Sequence, residues 1–167
     1  FSDYTFTNPA ENRLAEIRAL PPELNRSGFA YYLQSRNTPD DTFMFLKKHV
    51  TVENGLAAGA TYKVSFYSEV ASNAPSGCVG IGGAPGESVA FKAGVTRVEP
   101  VPILEGERLT LNIDKGNQSN GGKDMTLAGH IANGVPCEQG PDVPYVLLQK
   151  RVDHPTPVTT GPQGDLW

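Results

Sequence analysis

The strongest constraint on the fold is a strict alternation of apolar and polar side chains over residues 61–70. One set of side chains is mainly apolar: Tyr62, Val64, Phe66 and Val70. The other set is polar: Lys63, Ser65, Tyr67 and Glu69. Because successive side chains of a strand point to opposite faces, this period of two predicts a half-buried antiparallel strand. The apolar set faces a core, and the polar set faces solvent.

The composition extends this prediction to the whole chain. The 167 residues include 18 Gly and 14 Pro, a proportion that is typical of turn-rich all-β proteins. Turn signals divide the sequence into about eight to ten short strands, with no long helices between them. We therefore predict an all-β fold with little helix, an antiparallel two-sheet β-sandwich of jelly-roll type. Residues 1–167 are predicted to form one domain.

The element boundaries follow from the same patterns. Strands are predicted over residues 29–35, 42–52, 61–70, 88–92, 96–104, 108–113, 125–131 and 145–152. A short strand is predicted over residues 78–81. Residues 14–20 fit a short helix or a strand, and the β-rich context favours a strand. Residues 114–124 and 135–144 are predicted loops, and residues 153–165 are predicted to be irregular.

Charge narrows the classes of partner. The net charge is −4 and the sequence pI is about 5.3, and basic residues are scattered. A nucleic-acid-binding protein needs a basic stripe to neutralise phosphates, so we expect no nucleic-acid partner. No stretch approaches the roughly 18 apolar residues that span a bilayer, so no transmembrane segment is predicted in this chain.

The two cysteines, Cys78 and Cys137, have two interpretations. They are either free buried thiols or one disulfide of an extracytoplasmic protein, and the surrounding Gly/Pro-rich segments favour the disulfide. The chain begins at Phe1 rather than Met, so we expect a processed or trimmed chain, and removal of a signal peptide is compatible with this start. It ends on Asp165, Leu166 and Trp167, which resemble the start of a strand, so we expect more chain to follow in the natural protein.

The loop over residues 114–124 carries oxygen-bearing side chains at short spacing. These are Asp114, Asn117, Asn120 and Asp124. Calcium takes six to eight oxygen ligands from such loops, so a structural calcium ion is one interpretation. The other is an Asx-rich surface turn, because the loop lacks the spacing of an EF-hand. No other cofactor is predicted.

The segment Gly-Ala-Thr-Tyr-Lys-Val-Ser-Phe-Tyr, residues 59–67, resembles a strand of the galactose-binding-like jelly rolls found among carbohydrate-binding modules. The resemblance implies a carbohydrate or cell-surface ligand on the outward face, which carries Lys63, Tyr67 and Glu69. Residues 72–89 and 115–118 resemble parts of uncharacterised bacterial secreted proteins or lipoproteins. That second resemblance implies an extracytoplasmic location: secreted, periplasmic or lipid-anchored.

Three functions are open at this point. The first is an exported, non-catalytic binding domain, for which Tyr31, Tyr32 and Tyr67 are the candidate aromatic platforms. The second is a structural or protein-interaction domain without a small-molecule site. The third is a hydrolase, which requires two facing carboxylates, such as those of Glu69 and Glu87, or His130 with an acidic partner.

Overall fold

A computed structural model describes residues 13–35, 42–80, 83–106, 108–139 and 142–167. Within these ranges most of the regular secondary structure is β-strand, and long irregular segments join the strands. They are β1 (Arg13–Ala19), β2 (Phe29–Ser35), β3 (Thr61–Tyr62), β4 (Ser65–Ser72), β5 (Ala90–Gly94), β6 (Pro102–Glu105), β7 (Arg108–Leu111), β8 (Met125–His130), β9 (Val146–Asp153) and β10 (Val158–Thr159). Three single-turn 3-10 helices complete the regular structure: Pro22–Leu24, Val52–Asn54 and Cys137–Gln139.

The ten strands of the described ranges all pair in antiparallel fashion, and a single parallel bridge joins Ser76 to Pro136 outside them. The pairs are β1 with β2, β3 with β10, β4 with β9, β5 with β8, and β6 with β7. Strand β8 also contacts β9, which joins the β5–β8 pair to the β4–β9 pair. The predicted all-β, antiparallel character is therefore confirmed. No helix in the described ranges has the length and apolar character needed to cross a membrane.

The alternation of polar and apolar side chains over residues 61–70 has the predicted structural effect. From Thr61 to Val70 the side chains alternate without exception between exposed and half-buried, and the half-buried positions include Tyr62, Val64 and Phe66. The most buried apolar residues of the described ranges, at 4–8% exposure, lie elsewhere: Val95, Leu111, Ala132, Val143 and Leu166. The strand therefore contributes one face to the interior and leaves its polar face in solvent.

The prediction of one continuous strand over residues 61–70 was wrong. The segment divides into β3, which pairs with β10, and β4, which pairs with β9. The segment that lies opposite causes the break. Pro155 and Pro157 lie between β9 and β10, and they lack the N–H groups that a ladder needs. A single bond bridges the gap, in which the backbone N–H of His154 donates to the carbonyl of Val64 at 2.8 Å.

The prediction of a strand over residues 42–52 was also wrong. There only Val50 makes a β-bridge, to Leu166, and the chain then enters the 3-10 helix Val52–Asn54. The hydroxyl of Thr51 accepts the N–H of Glu53 and caps that turn. The apolar run before it packs through its own rings, since Phe43 and Phe45 stack 5.7 Å apart between centroids. In residues 42–49, contacts between apolar side chains therefore take the place of the backbone hydrogen bonds of the predicted strand.

Smaller differences concern the segments near the ends of strands. Residues 153–165, predicted to be irregular, contain β10. Residues 78–80 form no strand, and Ile81 lies outside the described residues. The predicted strands over residues 88–92 and 96–104 are realised as β5 and β6, shifted or shortened toward the C-terminus. The choice of a strand for residues 14–20 is confirmed by β1.

Cys78 and Cys137 lie at disulfide-bond distance, with Cα atoms 5.2 Å apart. The two segments are also joined by backbone bonds, because Ser76 donates to the carbonyl of Val135 at 2.8 Å and Cys137 donates to that of Ser76 at 3.1 Å. The covalent link closes a long loop, with a sequence separation of 59. It fastens the Gly-rich segment, which has few large apolar side chains, to the region before β9.

Candidate functional site

Strands β4 and β9 present a polar outer face, which we call the β4–β9 face. It consists of six exposed side chains: Ser65, Tyr67 and Glu69 on β4, and Gln149, Arg151 and Asp153 on β9. They are directly opposed in three pairs, Ser65 with Asp153, Tyr67 with Arg151, and Glu69 with Gln149. Directly opposed residues of an antiparallel pair project from the same side, so the six form one continuous surface.

Tyr67 is the aromatic residue of this face. Its side chain is 62% exposed and lies opposite Arg151, with polar side chains before and after it along β4. Of the other candidate platforms, Tyr32 is half-buried under the guanidinium of Arg18, which lies 3.9 Å from the ring centroid. Tyr31 is 64% exposed, but it lies on the β1–β2 hairpin among apolar neighbours. Tyr67 alone of the three combines an open ring with flanking polar groups.

Glu69 is already paired. Both of its carboxylate oxygens accept from Nη1 of Arg26, at 3.1 and 3.0 Å. Arg26 follows the 3-10 helix Pro22–Leu24, and that helix contacts β9. The pair is exposed and closes one end of the β4–β9 face. Of the three predicted ligand-binding residues, Glu69 is therefore the one whose charge is neutralised within the protein.

The other end of the face opens into a cleft of about 420 Å³ at the break between β3 and β4. Its polar lining comprises Lys63, Ser65, Arg151, Asp153 and His154, and Pro155 and Pro157 form one wall. The hydroxyl of Ser65 donates to Oδ1 of Asp153 at 2.6 Å. The strand break thus creates the cleft, whose lining includes both the predicted Lys63 and Arg151, the residue opposite Tyr67.

The predicted metal-binding loop is held together by its own backbone. Oδ1 of Asp114 accepts the N–H of Gly116 at 3.0 Å, and Oδ2 accepts that of Lys123 at 2.9 Å. The Lys123 bond, followed by that of Gly116, lowers the pKa of Asp114 below its ordinary value. Oδ2 of Asp124 accepts the N–H of Asp114 at 2.9 Å. The carboxylates of Asp114 and Asp124 therefore already have hydrogen-bond donors.

Two backbone carbonyl oxygens of the same loop accept hydrogen bonds from the ammonium group of Lys92. Nζ of Lys92, on β5, donates to the carbonyl of Lys115 at 2.9 Å and to that of Asn120 at 2.7 Å. The backbone N–H of Asn120 in turn donates to the carbonyl of Asn117 at 2.8 Å. In the described ranges, no three His, Cys, Asp or Glu side chains are grouped so as to hold a metal ion. Calcium binding by Asp114, Asn117, Asn120 and Asp124 stays a prediction, and this geometry favours a hydrogen-bonded turn.

The candidate catalytic carboxylates already have hydrogen-bond partners, and His130 lies near enough to Glu87 for its charge to act on that carboxylate. Glu87 accepts the N–H of Gly77 at 2.9 Å, and this bond is the main cause of its lowered pKa, with a smaller contribution from the charge of His130. A general acid of a glycosidase needs a raised pKa, so Glu87 is poorly suited to that role. Nδ1 of His130 accepts the N–H of Ala132 at 3.2 Å. His49 is bonded to Asp165 at 3.0 Å and stacks on Trp167.

No protein-family model, curated protein or solved structure matches the chain. The sequence placed Lys63 and Tyr67 among the candidate ligand-binding residues, but it did not bring in Arg151, Asp153 and His154, which line the same region of the structure. The signal for Arg151 and Asp153 was present only in part, because the apolar Val152 separates them at the end of a strong strand but Lys150 interrupts the alternation after Gln149. What the sequence does not state is that this strand pairs with β4.

Proposed function

We propose that this protein is an exported, non-catalytic β-sandwich domain that binds a carbohydrate on the β4–β9 face. The observation that carries the proposal is the exposed ring of Tyr67 directly opposite Arg151, beside the cleft. The antiparallel pairs and the contact between β8 and β9 support the sandwich arrangement.

The chemistry of this face suits a sugar. An exposed aromatic ring offers a flat apolar surface to the C–H groups of a pyranose, while its neighbours must satisfy the hydroxyl groups. Arg151 and Gln149 supply N–H donors, and Asp153 and Gln149 supply acceptor oxygens. These groups lie on paired strands, and β9 also contacts β8, so the ladder limits their reorganisation on binding.

An extracytoplasmic location is part of the proposal. Disulfides persist in oxidising compartments and are rare in the reducing cytosol, so the Cys78–Cys137 pair supports export. Carbohydrates of cell walls, capsules and host surfaces are met in the same compartments. The location and the proposed ligand are therefore consistent with each other.

The test is a glycan-array screen followed by calorimetric titration of the best ligand. We expect Tyr67→Ala to weaken binding by about tenfold or more, because ring stacking is lost. Tyr31→Ala is the matched control, since Tyr31 is equally exposed but lies on the β1–β2 hairpin. A screen with no bound glycan, or equal losses in the two variants, would contradict the proposal.

A specific observation favours a second candidate function, protein interaction. One face of the β1–β2 hairpin exposes Ile17 (63%), Phe29 (77%) and Tyr31 (64%), and Ile17 is directly opposed to Tyr31. Contiguous exposed apolar side chains are typical of interaction surfaces. Self-association through this face predicts a sedimentation coefficient that rises with concentration in the wild type and stays constant in Phe29→Ser. A constant value in both proteins would count against self-association.

A further inference from the structure

The cleft beside the β4–β9 face carries an excess of positive charge, although the whole chain has a net charge of −4. Lys63 and Arg151 contribute two cations, and Asp153 contributes the one carboxylate. Within the described ranges, the side chains of Lys63 and Arg151 have neither a hydrogen-bond acceptor nor an ion-pair partner. By contrast, Arg26 is paired with Glu69 at the opposite end of the same face.

The carboxylate of Asp153 does not neutralise these cations directly. Its Oδ1 accepts the hydroxyl of Ser65 at 2.6 Å, and no ion pair joins it to Lys63 or Arg151. Asp153 lies between Lys63 and Arg151 along the ladder, but its single negative charge offsets only one of the two cations, so an excess of positive charge and its repulsion remain. An anionic group of a ligand would relieve that repulsion and accept charge-assisted hydrogen bonds from both side chains.

His154 forms an ordered wall of the cleft. Its side chain is 8% exposed, and its Nδ1 atom is buried without a hydrogen-bond partner in the described chain. Its backbone N–H donates to the carbonyl of Val64, which fixes the wall to the strand break. A buried polar atom without a partner is unusual in folded proteins and is costly to maintain. His154 therefore brings a residue with an unpartnered polar atom to the lining of the cleft.

We infer that the cleft takes the anionic group, a carboxylate or a sulfate, of an acidic saccharide whose ring stacks on Tyr67. This inference rests on the proposed function and names its substrate class. Arg151 connects the two parts of the site, because it faces Tyr67 across the ladder and also lines the cleft. Lys63 reaches the same cleft from the break between β3 and β4.

The test uses three probes with the full chain: oligogalacturonate, its methyl ester, and a sulfated dextran oligosaccharide. Calorimetric titration should give at least about tenfold tighter binding of an acidic probe than of the uncharged ester. Lys63→Gln and Arg151→Gln should each weaken acidic-probe binding by roughly three- to tenfold, whereas Arg151→Lys keeps most of it. Lys48→Gln, which removes an exposed lysine outside the cleft, should change nothing. The oligogalacturonate and sulfate arms distinguish the two anionic groups.

The binding titrations distinguish the acidic-saccharide inference from the proposed carbohydrate-binding function. Equal affinities for the acid and its ester, with no loss in Lys63→Gln, would overturn the acidic-saccharide inference. Binding that Tyr67→Ala still weakens would leave the proposed function standing. The absence of binding to all saccharide probes and to the wider glycan array would overturn both.

Discussion

Tyr67 and Arg151 are directly opposed in the β4–β9 ladder, and both side chains are exposed on the same face. An aromatic ring and a guanidinium in this relation can engage the apolar face and the hydroxyl groups of one ligand together. The two residues lie far apart in the sequence, so their relation exists only in the folded chain. It depends on the register that the antiparallel ladder imposes.

The disulfide is expected to contribute much of the stability of the Gly-rich region. Replacing both Cys78 and Cys137 with Ala should lower the free energy of unfolding by about 4 kcal/mol in the chain-entropy model, because the sequence separation is 59. Urea denaturation followed by circular dichroism measures the change. A difference below about 1 kcal/mol would show that the link hardly constrains the unfolded chain.

Asp114 is expected to make stability depend on pH in the acid range. Its pKa is lowered in the folded state by the N–H groups of Lys123 and Gly116, below the ordinary value of 3.8. Its contribution is therefore complete above that ordinary value and is lost as the pH falls through the lower folded pKa. Thermal unfolding between pH 6 and pH 2 should show a smaller loss for Asp114→Asn than for the wild type.

The pKa of Glu87 is also lowered in the folded state. Glu87 is present in both the wild type and Asp114→Asn, so its effect on acid sensitivity cancels when the two are compared. Superimposable pH profiles for wild type and Asp114→Asn would contradict the role assigned to Asp114.

Lys92 is expected to stabilise the loop over residues 114–124. Lys92→Met leaves the carbonyls of Lys115 and Asn120 without their charged donor, so we expect a loss of about 2 kcal/mol. Faster amide exchange in the loop should accompany this loss. Lys48→Met is the control, because an exposed lysine outside the loop should contribute less than about 0.5 kcal/mol. Similar effects of the two substitutions would contradict the assignment.

Calcium should have little effect on this protein. The Asp114 carboxylate accepts two backbone N–H groups, and the Lys92 ammonium already bonds two of the loop carbonyls. We therefore expect the melting temperature to stay within about 1 °C when calcium or EDTA is added, since only ligands of the native state raise it. A calcium-dependent rise of several degrees would restore the ion predicted from Asp114, Asn117, Asn120 and Asp124.

The sequence predicted local properties well. The faces of residues 61–70 are as the alternation requires, and the bounds of β2 agree with the predicted segment. The extent of other elements was harder to predict, because it depends on partners far away in the chain. Residues 42–52 lack a ladder partner beyond the bridge at Val50, and the prolines after β9 divide the strand opposite them.

The candidate site was predictable only in part, for the same reason. Lys63 and Tyr67 could be placed on an outward face from the alternation alone. Arg151, Asp153 and His154 joined them only through the pairing of β4 with β9, which local patterns do not specify. The bond from Lys92 to the loop likewise depends on where β5 lies.

The most direct test of the account is to locate the bound carbohydrate by amide chemical-shift mapping of the labelled protein. We predict that the best glycan of the array perturbs amides of Ser65, Tyr67 and Glu69 on β4, and of Gln149, Arg151 and Asp153 on β9. These perturbations should be absent in Tyr67→Ala. Perturbations confined to the β1–β2 hairpin or to the loop over residues 114–124 would contradict a carbohydrate site on the β4–β9 face.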